Sequence, residues 1–238
     1  HTGVAVHALS LGETQRTLDL CGAAAAAFRE AGHIRGLGMA LLLTAWTHQF
    51  RGDFTQAVQW AAHLVRLGEE SSDRQILVWG LGVRGMLRQR TGLLDDAVAD
   101  LEAAMELAKA MPDYAGLAQS AGVLGSCYLR RREVRRALEV LDEGTRVIAE
   151  RGLRGMSVVW APLVLAEAHI LMLDEADGER RATRLETARR ACRHAVRQGG
   201  MLRFMLPMAL RLRGMLEWRT GKRRAATRSW ERSIAAAE

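Results

Sequence analysis

Three groupings of side chains in this sequence are of types that do chemistry elsewhere. Gly80-Leu81-Gly82-Val83-Arg84-Gly85 matches the G-x-G-x-x-G pattern that cradles a pyrophosphate, and the apolar run Ile76 to Trp79 precedes it like a strand. A dinucleotide site needs that turn to open a helix and a second strand to end in an acid about 20 residues on. Asp100 stands at that distance, yet residues 93–110 read as a helix, so the second strand is missing. The adjacent carboxylates Asp95-Asp96 and Glu69-Glu70 are of the type that shuttles protons. Both pairs fall at helix edges, where solvation is their simpler role. The seven histidines, His1, His7, His33, His48, His63, His169 and His194, never take H-x-x-x-H or H-E-x-x-H spacing. Cys21, Cys127 and Cys192 form no C-x-x-C pair. No G-x-S-x-G elbow, Walker loop or Ser-His-Asp cue is present. The residues give no constellation for catalysis, for a metal or for a cofactor, and the chain reads as a non-enzyme.

The third grouping is the basic stretch Arg180-Arg181, Arg184, Arg189-Arg190, Arg193 and Arg197. Steps of three and four put Arg181 beside Arg184, and Arg190, Arg193 and Arg197 along one stripe. Such a face is first of all a solvated one. It also suits an acidic partner domain, or phosphates of a nucleic acid, although no aromatic residue is interleaved for base stacking. The charge distribution bears on this. Residues 1–150 hold 16 basic and 18 acidic side chains, and residues 151–238 hold 18 basic and 9 acidic, within a total of +7. Only Lys109 and Lys222 are lysines. Arginine use of that kind follows from GC-rich coding as readily as from phosphate binding. A nucleic-acid-binding solenoid using the basic C-terminal third is therefore the alternative reading, behind protein or peptide binding.

These residues must be positioned by helices. In 93–110 the apolar residues Leu94, Ala97, Val98, Leu101, Ala104, Met105 and Ala108 recur at steps of three and four, and 134–150 repeats the design with Val134, Ala137, Leu138, Leu141 and Ile148. The sets Gly12-Thr17-Cys21, Gly52-Ala57-Ala61, Gly92-Ala97-Leu101 and Arg132-Ala137-Leu141 recur every 40 residues. A fixed period in this range is the signature of stacked helical hairpins. Gly52-Asp53, Gly92-Leu93 and Gly221-Lys222 read as turns inside pairs. Gly68, Gly152 and Gly199-Gly200 read as C-caps, and Pro207 as the opening of the last pair. Asp174 to Glu179 reads as an acidic loop that interrupts the register. The map is one domain of six pairs, at about 1–35, 36–75, 76–115, 116–154, 155–200 and 201–238, taken as a fragment of a longer protein because it opens on His1. No run reaches the ~18 apolar residues of a membrane span. The scattered, odd-numbered cysteines fit buried small-residue roles in a reducing compartment, so a cytoplasmic location is expected.

The residues resemble tetratricopeptide repeats. Leu124-Gly125, Tyr128, Ala137, Leu141 and Gly144 follow that motif, as do Leu81, Gly85, Gly92, Ala97, Leu101 and Ala104; Leu41, Ala45, Gly52, Ala57 and Ala61; and Leu210, Gly214, Gly221, Ala226 and Trp230. Close approach is expected where Gly85, Gly125 or Gly214 faces Ala97, Ala137 or Ala226. The 40-residue spacing is similar to the long-helix subclass in the C-terminal regions of MalT-like transcription activators and class III nucleotidyl cyclases. That resemblance implies an all-α, right-handed superhelical solenoid whose first helices line a concave groove. It places Trp46 and Gln49, Trp79, Val83, Met86 and Arg90, Gln119, Ser126 and Arg130, Trp160 and Glu167, and Met215 and Arg219 on that groove. Tryptophan and methionine beside arginine suit a segment carrying acidic and apolar residues. The expected role is a non-catalytic module of a bacterial signalling or transcription regulator, binding a protein segment, a neighbouring domain of its parent or a small effector. Self-association through the solenoid ends is a further expectation.

Overall fold

The computed structural model describes residues 2–175, 178–201 and 205–237. Among them are twelve α-helices and no strand. They run as α1 (Thr2–Ser10), α2 (Thr14–Glu30), α3 (Ile34–Phe50), α4 (Phe54–Glu70), α5 (Arg74–Thr91), α6 (Leu94–Lys109), α7 (Tyr114–Arg130), α8 (Val134–Arg151), α9 (Trp160–Leu171), α10 (Gly178–Met201), α11 (Leu206–Arg219) and α12 (Arg223–Ala235). The chain is an all-α repeat of antiparallel hairpins. The Gly80 to Gly85 motif lies inside α5, so its glycines belong to one continuous helix rather than to a phosphate loop.

The turns repeat at half the expected period. As far as residue 152, left-handed backbone falls at Gly12, Gly32, Gly52, Ser72, Gly92, Arg132 and Gly152, steps of 20 or 40 residues; beyond it Gly155, Gly178 and Gly221 do not keep that spacing. At Gly52 the backbone N–H donates to Gln49 O, and the N–H of Asp53 donates to His48 O, the paired bonds that close a helix end. Asp53 then caps the next helix by accepting from Gln56 N at 3.2 Å. Asp73 does the same for α5 through Gln75 N and Ile76 N, and Asp113 for α7 through Gly116 N. One three-residue device thus ends one helix and starts the next.

Each second helix packs on the first helix of its own pair and of the next, while the first helices α1, α3, α5, α7, α9 and α11 also touch in succession. Second helices make no comparable contact with one another among the described residues. The first helices therefore form the closer-spaced inner layer. Glycines permit the tightest approaches: Gly85 lies against Leu101 as well as the expected Ala97, through its carbonyl oxygen, whereas Gly125 meets Leu141 and Gly214 meets Trp230, larger partners than the sequence suggests. Gly68 is not a C-cap. It lies within α4, and a methyl there would stand 2.7 Å from the backbone N of Leu77. Gly199-Gly200 are likewise inside α10. The register first breaks earlier than expected, at 153–159, where a 3-10 turn (Met156–Val158) precedes a shortened α9. The expected acidic loop is in part a second 3-10 turn, Met172–Glu175, and 176–177 lie outside the described residues.

Candidate functional site

A repeat of 40 residues stacks equivalent positions side by side on neighbouring first helices. Phe50, Arg90 and Arg130 are equivalent, and so are Gln49 and Gln89. On α5 and α7 this brings two guanidinium groups together. They form one wall of a cavity of about 700 Å³ that runs along the inner layer from the end of α3 to the start of α11.

The wall is held from several sides. Arg130 reaches back to α5 and donates to the carbonyl oxygen of Gln89 at 2.9 Å, a cation on a helix C-terminal carbonyl. The Gln89 side-chain amide donates to Ser126 Oγ at 2.9 Å, so α5 and α7 are joined at two points. Arg90 lies over the indole of Trp160, 5.8 Å from the ring centroid, a cation–π contact. Trp160 can reach it because α9 starts directly on Gly122 of α7, where a methyl would stand 2.5 Å from Ala161 N.

The cavity holds more positive charge than its own residues neutralise. Arg90 holds its proton less tightly than an ordinary guanidinium; burial among protein atoms is the main cause and the like charge of Arg130 the second. Neither forms an ion pair with a carboxylate among the described residues. The one carboxylate in the lining, Glu167, takes Arg211 of α11 at 3.1 Å. Opposite, the buried Gln49 has a side-chain carbonyl oxygen with no hydrogen-bond partner. A buried acceptor left unpaired is costly, and a ligand N–H would satisfy it. Met86, Val123, Leu129 and Val164 supply apolar surface between these groups.

Of the residues expected on the groove, Gln49, Met86, Arg90, Ser126, Arg130, Trp160 and Glu167 line this cavity. Trp46, Val83 and Gln119 do not; they are buried within the helix packing. Trp79 packs partly buried against the core. Met215 lies one turn along α11 from Arg211, whose guanidinium contacts its sulfur at 3.3 Å, and Arg219 closes that helix beyond the cavity. Phe54, Gly122, Leu171, Met205, Pro207 and Ser233 also line the cavity, although the sequence reading places none of them on the groove. Phe54 and Ser233 belong to second helices, which the groove reading leaves aside, and Gly122 presents no side chain to notice.

Other chemistry is sparse. Cys21, Cys127 and Cys192 are free and buried. Burial pushes the first two thiols up to about 11 and that of Cys192 to about 12, far from a reactive thiolate. Among the described residues no group of three His, Cys, Asp or Glu side chains could hold a metal ion, and no helix is long and apolar enough to cross a membrane.

No family model matches the sequence, and no curated protein matches it. Solved structures do share the fold. The apo form of RapI superposes with a TM-score of 0.72 at 14% identity, covering 98% of this chain and 80% of that one. A Rap protein complexed with Competence and Sporulation Factor gives 0.68 at 10% identity, covering 98% and 72%. A kinesin light chain protein of Podosopora anserina, with nearly identical TPR-like repeats, gives 0.52 at 17% identity over 83% and 92%. At these identities the likeness is one of architecture: a TPR-type helical repeat.

Proposed function

We propose that this chain is a non-catalytic binding module that holds a protein or peptide segment in the inner-layer cavity. The observation that carries this reading is the Arg90–Arg130 pair, with Arg90 over Trp160 and neither guanidinium held by a carboxylate among the described residues. The segment it suits bears a carboxylate for the two guanidinium groups, apolar side chains for Met86 and Val164, and a backbone N–H for Gln49. That a Rap protein of this architecture was solved in complex with Competence and Sporulation Factor supports a binding role.

The module would belong to a larger bacterial signalling or transcription regulator, of the kind in which MalT-like activators and class III nucleotidyl cyclases carry long-helix repeats. The three unbridged thiols support a cytoplasmic setting. A second route to partners is end-to-end association, supported by the exposed Val4, Leu11 and Ile234 on the terminal pairs, and light scattering of the chain reads it.

Peptide display against the immobilised chain tests the main reading. Wild type should enrich segments with Asp or Glu beside aliphatic or aromatic residues. The Arg90→Ala, Arg130→Ala double variant should lose that enrichment while keeping its circular dichroism spectrum. Equal enrichment on both proteins would refute a role for this cavity.

A further inference from the structure

A second hollow lies between α10 and α11, away from the inner cavity. It measures about 650 Å³, within the ~300–1,000 Å³ typical of small-molecule sites. Its floor is apolar, made by Cys192, Val196 and Leu216. Its walls are basic. Arg189, Arg193 and Arg197 follow one another at i, i+4 along α10, and Arg213 and Lys222 face them from α11 and the turn after it.

These five cations meet few carboxylates. Glu217, the one acid of the lining, is fully engaged: it takes Arg213 Nε at 2.9 Å and the Ser229 hydroxyl at 2.6 Å. Arg189 and Arg193 share Glu186, at 4.0 and 3.1 Å. Arg197 and Lys222 have no carboxylate within ion-pair distance among the described residues. Like charges one turn apart on a helix repel. An anion bridging them reverses the sign of that interaction.

We infer that this cleft binds a small molecule carrying two or more phosphates. Arginine forks match phosphate oxygens two at a time, and a single phosphate would engage fewer than half of the cations present. The apolar floor admits a compact non-polar portion. No aromatic ring lines the cleft, so stacked bases of a single-stranded nucleic acid have no platform. The site is independent of the peptide cavity: α11 turns Met208 and Arg211 to that cavity and Arg213, Leu216 and Glu217 to this cleft.

Calorimetric titration of the full chain with pyrophosphate, a nucleoside triphosphate and orthophosphate tests the assignment. Both polyphosphates should bind, orthophosphate at least tenfold more weakly, and binding should fall steeply with added salt. If the phosphates alone are read, pyrophosphate and the nucleotide will bind equally; if the apolar floor takes part, the nucleotide will bind more tightly. The exposed pair Arg193→Ala, Arg197→Ala should weaken both by tenfold or more, whereas Arg90→Ala should not. Absence of polyphosphate binding, or binding that survives the paired substitution, overturns the proposal. Tighter binding of a mixed-sequence oligonucleotide, or of poly-glutamate, overturns it in favour of a nucleic acid or an acidic protein surface.

Discussion

Helices α5 to α8 and helices α10 to α12 both carry many charges but place them differently. In the middle pairs, charge crosses from helix to helix. Asp100 of α6, buried, receives two guanidinium contacts from Arg84 and one from Arg88 of α5, at 2.6 to 2.9 Å. Glu102 of α6 accepts from the Tyr128 hydroxyl of α7 and from Arg136 of α8, and Lys109 joins Glu143. In the last helices the pairs are mostly local, Arg189 and Arg193 to Glu186, and Arg213 to Glu217. Charge that crosses an interface fixes which helix lies on which. Charge left over on a cavity wall is free to meet something else.

The strongest test of that distinction is Asp100→Ala. It strands two guanidinium groups on the α5–α6 face. Breaking a buried pair costs about 3–5 kcal/mol, trimmed here to about 2–3 because both arginines remain about one-third exposed. Urea denaturation reads it, and a loss below about 1 kcal/mol would mean the middle pairs do not depend on their crossed charges.

Gly122→Ala comes next and probes how α9 is seated. The added methyl meets backbone of α9 rather than a flexible side-chain tip, so the helix must move, at about 1–3 kcal/mol. Trp160 moves with it, and the Arg90 contact should loosen. Gly82→Ala is the control: its nearest new neighbour is Ser120 Oγ at an ordinary 3.5 Å, and a gain in helix propensity is expected instead.

Asp73→Ala is smaller and pH-dependent. Asp73 caps α5 and takes Arg35 of α3 at 2.7 Å, tying two pairs together. Burial alone would raise its carboxyl, but the bonds from Arg35, Ile76 N and Gln75 N, with the charge of Arg35, bring it below the ordinary 3.8. The folded state thus holds the ionised form better than the unfolded chain does. Its contribution is complete above about pH 4 and is lost as the pH falls through the lowered value. The variant should lose about 1 kcal/mol at pH 7, with the gap to wild type closing toward pH 3.

The hairpin architecture was legible because helix faces and the 40-residue spacing survive in Ala97, Leu101, Ala137 and Leu141. The 20-residue turn period was hidden because its positions hold unlike residues: Ser72 and Arg132 adopt left-handed backbone where glycine stands elsewhere. The inner face was legible only in part. Periodicity shows which residues of a first helix point away from its partner, but not which of those the neighbouring first helix covers. Trp46, Gln119 and Gln49 are all buried, yet only Gln49, with Arg130, reaches the cavity lining, because these two sit nearer the helix ends where α3, α5 and α7 open onto it. The basic stripe of α10 was visible in part: Arg193 and Arg197 line the cleft, but Arg189 rather than Arg190 joins them, and the opposing wall, Arg213 and Lys222, depends on packing that no spacing encodes.

The smallest effect is also the one whose sign separates the two regions. Arg197→Ala removes a cation that no carboxylate of the described residues holds, and it puts the best helix former in its place. At low salt the repulsion from Arg193 one turn away is relieved, so the variant should be more stable than wild type by a few tenths of a kcal/mol. About 0.5 M salt should erase the gain, since exposed charges are screened over a few ångströms there. Arg84→Ala, in the paired region, should be destabilising at both salt levels because it takes two contacts from buried Asp100. Thermal melts of both variants at low and high salt read the contrast directly. Were Arg197→Ala to destabilise like Arg84→Ala, the last helices would be held by their charges as the middle ones are, and the cleft between α10 and α11 would have no surplus to offer an anion.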